Sequence, residues 1–391
     1  MTPAARLQAA IEILDEVIVS ARDDGPPADT IVTRYFKHRR YAGSKDRRAV
    51  RELVFRSIRR SGDRPETGRL AILGLAQEDA SLDDLFGQPR GPEPLTDGEA
   101  AGPSSLVPEW LRPELSPLVA EDEWPALLER APVDLRVNVS RATREAFLQE
   151  FEGALPTPVS PWGIRLPPDS RVDDHPAFGA GLIEVQDEGS QLIALACEPS
   201  NGTRILDLCA GAGGKSLALA AAAPTAVILA ADSNRARLSR LAPRAERAGA
   251  QIETRLLNPP RELDDLADWH GQADLVLIDA PCSGSGTWRR NPEGRWRLSP
   301  DRLDRVVELQ KRLLGIGAEL VRPGGALVYA VCSLLSREGA GQIDRFLEAR
   351  SSWIMEETPI AAGRLDGSGR LLTPGHDQTD GFFVARLRRP C

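Results

Sequence analysis

The sequence has few of the residues that build metal sites and disulfide frameworks. Among its 391 residues are five cysteines and four histidines. The cysteines form no Cys-x-x-Cys pair and the histidines are scattered, so we expect no bound metal and no disulfide. Each cysteine is then either a small buried apolar side chain or a reactive thiol.

Long apolar stretches are also missing. No run approaches the roughly 20 apolar residues that a membrane-spanning helix needs. The first ten residues, which include Arg6 and Gln8, lack the apolar core of a signal peptide. We therefore expect a cytoplasmic protein with no membrane partner, and since nothing in the sequence demands an oligomer, a monomer.

The charge is unevenly distributed along the chain. A net charge of −8 argues by itself against a nucleic-acid partner. Between Arg34 and Arg64, however, twelve lysines and arginines stand against three acidic residues. Such a patch can bind a phosphate backbone whatever the net charge of the whole chain. The alternative is an ordinary solvated helix face.

The first half of the chain divides into segments of different pattern. Apolar residues at three- and four-residue spacing predict helices over about 3–22, 45–60 and 68–76. Glycine, proline and acidic residues then dominate, and a strand-like run, Leu135 to Val139, follows. We expect a helical extension over 1–85, a linker over 86–104, a small α+β module over 105–170 and a larger domain over 171–391.

From about residue 180 onward, short apolar runs alternate with helical patterns. The runs are 204–208, 227–231, 252–256, 273–278 and 326–331. The helical patterns between them are 214–223, 235–249, 262–268 and 301–320. This alternation predicts an α/β fold with a doubly wound parallel sheet.

Chemically distinctive residues follow the predicted strands, where ligands bind in such sheets. They are Cys209, Ala210, Gly211, Ala212, Gly213, Gly214 and Lys215 after the first strand, Asp232 after the second, Asn258 after the third, Asp279 to Cys282 after the fourth and Cys332 after the fifth. A glycine turn at a helix start lets backbone approach a ligand closely. Cys209 and Ser216 break the P-loop and dinucleotide fingerprints, which favours a nucleoside without a pyrophosphate over a nicotinamide cofactor.

Two polar residues are candidates for holding that nucleoside. Asp232, about 20 residues beyond the turn, is placed to accept hydrogen bonds from ribose hydroxyls. Its alternative role is to cap the strand end. Asn258 can pair with an adenine edge, or it is plain turn chemistry before Pro259 and Pro260.

Cys282 and Cys332 are expected at the ends of adjacent strands, where they can converge on one pocket. A thiolate that adds to carbon 6 of a cytosine makes carbon 5 nucleophilic, which divides one difficult step into two. A single cysteine would more often be a buried apolar residue. Two cysteines, Asp279 and a cofactor turn at one sheet edge favour the catalytic interpretation.

Six segments together resemble the RsmB/Nop/Sun family of RNA cytosine-5 methyltransferases. They are Gly181–Ser190, 209–215, Asp279–Thr287, Arg289–Trp296, Tyr329–Ser333 and Asp380–Phe383. The resemblance covers roughly 105–391. Residues 1–85 more loosely resemble the NusB-like RNA-binding extension of the ribosomal-RNA branch.

The resemblance implies a Rossmann-like class I methyltransferase core and specific roles for the candidate residues. Residues 209–215, Asp232 and Asn258 would hold S-adenosyl-L-methionine, with Asp279 beside it. Cys332 would attack carbon 6, Cys282 would assist release of the methylated base, and Asp279 would hold or protonate nitrogen 3. The RNA substrate would be ribosomal, with transfer RNA as the alternative.

The chain departs from the family pattern at three places. Gly211 and Ala212 replace alanine and proline, Asn258 replaces an aspartate, and Val331 replaces a threonine. The altered turn leaves open a second hypothesis, a ribosome-assembly factor that binds RNA with weak or no catalysis. A further segment, Trp288 to Arg297, interleaves cations with aromatics, which is typical of an RNA-gripping surface or of a loop packed over the sheet.

Overall fold

The computed structural model describes residues 1–96, 98–99, 101–102, 104–168 and 170–391. The chain forms two compact units. A helical unit comprises Met1–Glu114, Trp124–Glu129 and Thr287–Ser299, and a sheet unit comprises Leu115–Glu123, Arg130–Gly286 and Pro300–Cys391. Three positions of the predicted linker (97, 100 and 103) and position 169 of the predicted α+β module lie outside the described residues. The boundaries expected at 85, 104 and 170 stay predictions.

Over its described residues, the helical unit has four α-helices: α1 Pro3–Arg22, α2 Ala28–Lys37, α3 Ser44–Arg60 and α4 Gly68–Ala76. The Thr2 hydroxyl caps α1 by accepting from the amide of Ala5. Helix α2 is not among the helices predicted from the sequence. Its buried residues include Ile31, Val32 and Tyr35, which are poor helix formers, so packing of its apolar face outweighs intrinsic propensity.

The segment Thr287–Ser299 is an integral part of the helical unit. Trp296 is 2% exposed within the apolar core of that unit, and its indole N–H donates to the Ser61 carbonyl oxygen at 2.8 Å. Arg295 is 1% exposed and donates to the carbonyl oxygens of Ile58 and Leu106, each at 2.5 Å. The interpretation of these two side chains as part of an RNA-gripping surface is therefore wrong, because both are buried and donate hydrogen bonds to carbonyl oxygens of the helical unit.

The sheet unit begins with a small antiparallel sheet. Its strands are β1 Val133–Val137, β2 Leu155–Pro156, β3 Gly163–Leu166 and β4 Ile183–Val185, in the order β2-β3-β1-β4. Leu135, Ile164 and Ile183 are fully buried in one apolar cluster on this sheet. The opposite face of the central strand is also buried, since Asp134 and Arg136 are 1% and 3% exposed.

In the part of the chain that the structure describes, the large sheet has nine strands: β5 Arg204–Asp207, β6 Val227–Asp232, β7 Glu253–Leu256, β8 Ala273–Asp279, β9 Val321–Val331, β10 Ile354–Glu356, β11 Arg364–Asp366, β12 Gly369–Leu372 and β13 Phe382–Arg388. Strands β7-β6-β5-β8-β9 are parallel neighbours. Strand β13 continues the sheet antiparallel to β9, and it pairs in turn with β10 and β12. The predicted α/β fold with a doubly wound core is confirmed.

Helices of the sheet unit connect these strands: α5 Arg144–Leu148, α6 Pro176–Gly179, α7 Glu188–Ala196, α8 Gly214–Ala222, α9 Arg235–Leu238, α10 Leu241–Ala248, α11 Glu262–Asp265, α12 Pro300–Leu320, α13 Ala340–Ala349 and α14 Pro374–Asp377. The sequence pattern over 235–249 predicts one helix, whereas the structure has α9 and α10. Pro243 explains the break, since a proline ring clashes with the carbonyl four residues earlier. Among the described residues, no helix is both long and apolar enough to cross a membrane.

The strand order reverses direction between β5 and β8. From β5 the chain moves outward through β6 to β7, and then returns to the other side of β5 to form β8 and β9. The loops after β5 and β8 therefore diverge and leave a crevice at the carboxyl ends of these strands. Ligands of open α/β sheets bind at such a point.

Candidate active site

The glycine turn after β5 is shaped by its own backbone. The amide of Ala210 donates to the carbonyl oxygen of Ala231 on β6, and the amide of Gly213 donates to the carbonyl oxygen of Ala210. Gly213 has a φ of 81°, and a Cβ there would lie 2.0 Å from Cδ1 of Leu241. Only glycine fits this position, because both the conformation and the space exclude a side chain.

Asp232, at the end of β6, braces this turn. Its carboxylate accepts from the amide of Gly211 at 2.7 Å and from the amide of Asn234 at 2.6 Å. Asp232 also lines the cavity at the sheet edge. A carboxylate has about four acceptor positions, so both oxygens retain capacity for ligand hydroxyls.

Asn258, after β7, has a different environment from that of Asp232. It is exposed, and both its backbone amide and its side-chain amide face the carboxylate of Asp265. Its neighbours Leu257 and Pro259 line the cavity, together with the buried Glu262. The Asn258 side chain is thus hydrogen-bonded within a local turn. Glu262 is the acidic residue that lines this end of the cavity.

The cavity occupies the crevice between the loops after β5 and β8. Its volume is about 470 Å³, within the ordinary range of small-molecule sites. It is lined by Leu208, Cys209, Asp232, Ser233, Asn234, Arg237, Leu257, Pro259, Glu262, Asp279, Ala280, Pro281, Cys282, Leu309, Leu313 and Cys332. The described residues include no group of three or more histidines, cysteines or acids placed to hold a metal ion.

The two cysteines meet at this cavity. Cys282 follows β8 and Cys332 follows β9, and their sulfur atoms lie 3.2 Å apart. Parallel pairing of the two strands brings their carboxyl ends side by side. The amide of Gly286 donates to the carbonyl oxygen of Cys332 at 3.0 Å, which joins the two loops.

An ion pair between a buried lysine and a partly exposed aspartate lies beside the thiols. The Lys215 ammonium contacts a carboxylate oxygen of Asp279 at 2.6 Å and lies 5.3 Å from the centre of the Phe382 ring. Burial lowers the pKa of Lys215, but the Asp279 carboxylate outweighs it and the net shift is upward. Lys215 therefore carries its charge at neutral pH. The Cys332 sulfur also raises the Lys215 pKa, so a positive charge faces that sulfur.

The other ionisable groups of the site have strongly altered environments. The hydrogen bond with Cys332, burial and the negative charge of Glu338 raise the pKa of the Cys282 thiol well above its usual value. Burial, followed by the charge of Asp207, does the same for Cys209. Burial also raises the pKa of Asp207 to about 7. Cys282 and Cys209 are thus protonated at neutral pH.

Sequence reasoning missed a polar network beneath the two cysteines. Ser283 and Ser333, the residues that directly follow Cys282 and Cys332, both bond to the buried carboxylate of Glu338. The serine that follows each cysteine was a sequence signal for this network, but no sequence pattern singles out Glu338. Its partners lie far apart in the sequence and meet only in the folded sheet unit.

A doubly wound sheet with a glycine turn, an acid after the second strand and a nucleoside-sized cavity is the architecture of class I methyltransferases. The family model for the 16S rRNA methyltransferase RsmB/F matches residues 194–388. The ribosomal RNA small subunit methyltransferases B of Salmonella arizonae and of Enterobacter sp. strain 638 are each 35% identical over 72% of this chain. The alignments span 66% of those relatives, just under two thirds of their length.

Three solved structures match between 71% and 100% of the chain. PH0851 has a TM-score of 0.75 at 24% identity and covers 100% of this chain and 99% of its own. NSun6 from Pyrococcus horikoshii has a TM-score of 0.64 at 19% identity, covering 72% of this chain and 97% of its own, and supports the fold. A methyltransferase homologue from P. horikoshii is 26% identical with a TM-score of 0.60, covering 71% and 92%. The chain belongs to the RsmB/Nop/Sun family.

Proposed function

We propose that this protein transfers a methyl group from S-adenosyl-L-methionine to carbon 5 of a cytosine in ribosomal RNA. The observation that carries the proposal is the pair of sulfurs 3.2 Å apart at the cavity, next to the Lys215–Asp279 ion pair. Two thiols this close to a charged pair are what covalent catalysis on a pyrimidine requires: a nucleophile, a proton-transfer group and a group that holds the ring.

The cavity fits the cofactor. S-adenosyl-L-methionine supplies an electrophilic methyl group when bound. The backbone of the turn 209–215 can approach the nucleoside, and the free acceptor positions of Asp232 can take the ribose hydroxyls. Glu262 lies at the end of the cavity that Asn258 does not reach. In this proposal Asn258 contributes through the turn that it builds with Asp265.

The electrostatics favour Cys332 as the nucleophile. Lys215 presents a positive charge to Cys332, and the negative charge of Glu338 disfavours a thiolate at Cys282. The Cys332 thiolate forms a bond to carbon 6, and the ring electron pair moves to carbon 5, where methylation occurs. Asp279 holds the ring at nitrogen 3. The carbon 5 proton is then lost to solvent, and the electron pair it leaves re-forms the ring double bond and releases the Cys332 sulfur from carbon 6. The Cys282 thiol assists this release by hydrogen bonding to the departing sulfur.

The helical unit offers a surface for the RNA. Several of the twelve cations between residues 34 and 64 are engaged within the unit, as in the pairs Arg34–Glu16, Arg51–Asp29 and Arg56–Asp79 and the buried Arg60. Lys37, Arg40, Lys45 and Arg48 are exposed and, over the described part of the chain, have no ionic partner. Tyr41 stands among them at 74% exposure. Exposed cations around an open aromatic ring suit phosphates and an unstacked base.

Methylation of defined RNAs tests the proposal. With labelled S-adenosyl-L-methionine, we expect 5-methylcytosine in small-subunit ribosomal RNA. Label in transfer RNA alone would show that the substrate is transfer RNA and not ribosomal RNA. The absence of 5-methylcytosine from every RNA would refute the activity. We also expect Cys282→Ala to accumulate a covalent protein–RNA adduct and Cys332→Ala to form none; the reverse would exchange their roles.

One observation favours a second function, that of an RNA-binding assembly factor. The side chains of Asp232 and Asn258 already bond to the protein, which reduces what they offer a nucleoside. Calorimetry separates the two functions. Binding of S-adenosyl-L-methionine supports the enzyme, whereas no binding by a protein that still binds RNA supports the assembly factor.

A further inference from the structure

A single buried carboxylate joins the two cysteine loops. Glu338 is 0% exposed. One of its oxygens accepts from the amide of Ser283 and from Nε2 of Gln310, both at 2.8 Å. The other accepts from the Ser333 hydroxyl at 2.5 Å. Since Ser283 follows Cys282 and Ser333 follows Cys332, Glu338 fixes both cysteine backbones through their nearest neighbours.

The network around Glu338 is closed on each side. Gln310, on α12, also donates to the carbonyl oxygen of Pro281, directly before Cys282. The Ser333 hydroxyl oxygen accepts from the amide of Leu335, so its proton is available for Glu338. Tyr329 donates to the backbone carbonyl oxygen of Glu338 at 2.7 Å. Three donors therefore bond to the two oxygens of this buried carboxylate and leave neither oxygen without a partner.

We propose that Glu338 is a positioning residue that aligns the two sulfurs and confines the thiolate to Cys332. This inference rests on the proposed function, in which only one of the two thiols attacks the base. A thiolate at Cys282 would lie in the field of a buried negative charge with little water to screen it. The positive charge of Lys215 instead interacts favourably with a thiolate at Cys332.

Other groups that face the Cys282 thiol do not replace Glu338. The backbone amide of Gly284, in the same loop, lowers the pKa of Cys282. The Tyr329 phenol on β9 is uncharged, because burial raises the pKa of Tyr329 well above its usual value. Cys332, at the end of β9, raises the Cys282 pKa, and so do Glu338 and burial. Glu338 is thus the acidic side chain that disfavours a thiolate at Cys282, in addition to the hydrogen bond with Cys332, burial and the charge of Cys332.

Alkylation of the two thiols tests the proposal without RNA or cofactor. Purified full-length protein is treated with iodoacetamide across pH 6–10, and mass spectrometry quantifies modification of the Cys282 and Cys332 peptides. In the unmodified protein we expect Cys332 to react at least about tenfold faster at pH 8, because the raised pKa of Cys282 leaves little reactive thiolate at that position. Equal rates in that protein would overturn the proposal before any variant is made.

Two variants then separate charge from hydrogen bonding. Glu338→Gln keeps the shape and removes the charge, and Ser333→Ala removes one hydrogen bond and keeps the charge. We expect Glu338→Gln to lower the pH at which Cys282 reacts by about one unit and Ser333→Ala to leave it unchanged. Glu338→Asp should restore the original profile. Equal shifts in Glu338→Gln and Ser333→Ala, or no shift in either, would contradict the electrostatic role.

The outcomes are distinguishable from failure of the proposed function. If no RNA is methylated but Glu338→Gln still moves Cys282 reactivity, the enzyme assignment fails and the role of Glu338 stands. If RNA is methylated and the alkylation profiles of the unmodified protein and Glu338→Gln coincide, Glu338 is structural only. Thermal unfolding of each variant confirms that the compared proteins are folded.

Discussion

Replacing Trp296 with alanine tests whether this residue belongs to the core of the helical unit or to an RNA surface. The indole is 2% exposed and packs among the residues of α1 to α4. Truncation of a buried tryptophan costs about 3–5 kcal/mol. The Ser61 carbonyl also loses its donor, which adds about 1 kcal/mol. We therefore expect a loss of about 4–6 kcal/mol, a large share of the stability of an ordinary domain.

Denaturant unfolding with hydrogen exchange measures this loss. The change should appear in the amides of α1 to α4, and exchange resolved by peptide locates it there, since a chain of two units need not unfold in one step. Tyr41→Ala is the matched control, because this ring is 74% exposed. It should change stability by less than about 0.5 kcal/mol and weaken RNA binding by about 1–3 kcal/mol. A Trp296→Ala protein that stays stable but loses RNA affinity would refute the core assignment.

Three further predictions address the RNA surface, the glycine turn and a buried acid. Arg48→Gln should reduce the slope of log affinity against log salt by about one, as expected for one lost phosphate contact; an unchanged slope in filter binding would remove Arg48 from the surface. Gly213→Ala should abolish binding of S-adenosyl-L-methionine in calorimetry and destabilise the sheet unit, because its Cβ would lie 2.0 Å from Leu241. Gly202→Ala, which has a similar φ of 78° and open space around it, controls for backbone strain alone, so equal losses in both would contradict the steric reason. The Asp207 pKa is raised to about 7 in the folded state, so the free energy of unfolding decreases as pH rises from about 4 to 7. Asp207→Asn should flatten that loss in urea unfolding and be the more stable protein at pH 8, and parallel pH profiles would contradict it.

The parallel sheet could be predicted because its strands are buried on both faces and read as continuous apolar runs. The runs at 204–208 and 273–278 correspond to β5 and β8, and the rule that ligands bind at strand carboxyl ends pointed to the cavity. Strand β9 begins at Val321, five residues before the predicted run, since Arg322, Pro323 and two glycines interrupt the apolar pattern.

What the sequence did not reveal depends on contacts between distant residues. Helix α2 is held by tertiary packing of residues with low helix propensity. For the segment that contains Trp296, the sequence left open an RNA-gripping surface or a packed loop, because the same interleaving of aromatics and cations can bind nucleic acid or fill a core and bond to carbonyl oxygens. The Asn258 amide is occupied by Asp265, a contact set by the turn before α11. The role of Glu338 follows only from the folded structure, in which Ser283 and Ser333 both bond to its carboxylate.

The central claim is that Cys332 attacks the base while the neighbouring Cys282 assists its release. RNA that carries 5-fluorocytidine tests it directly, because fluorine at carbon 5 cannot leave as a proton and the covalent complex is trapped. Digestion of the trapped complex and mass spectrometry identify the cysteine attached to the RNA. The account predicts a nucleotide on the peptide that contains Cys332. A nucleotide on the Cys282 peptide, or no covalent complex with an RNA that the protein methylates, would contradict it.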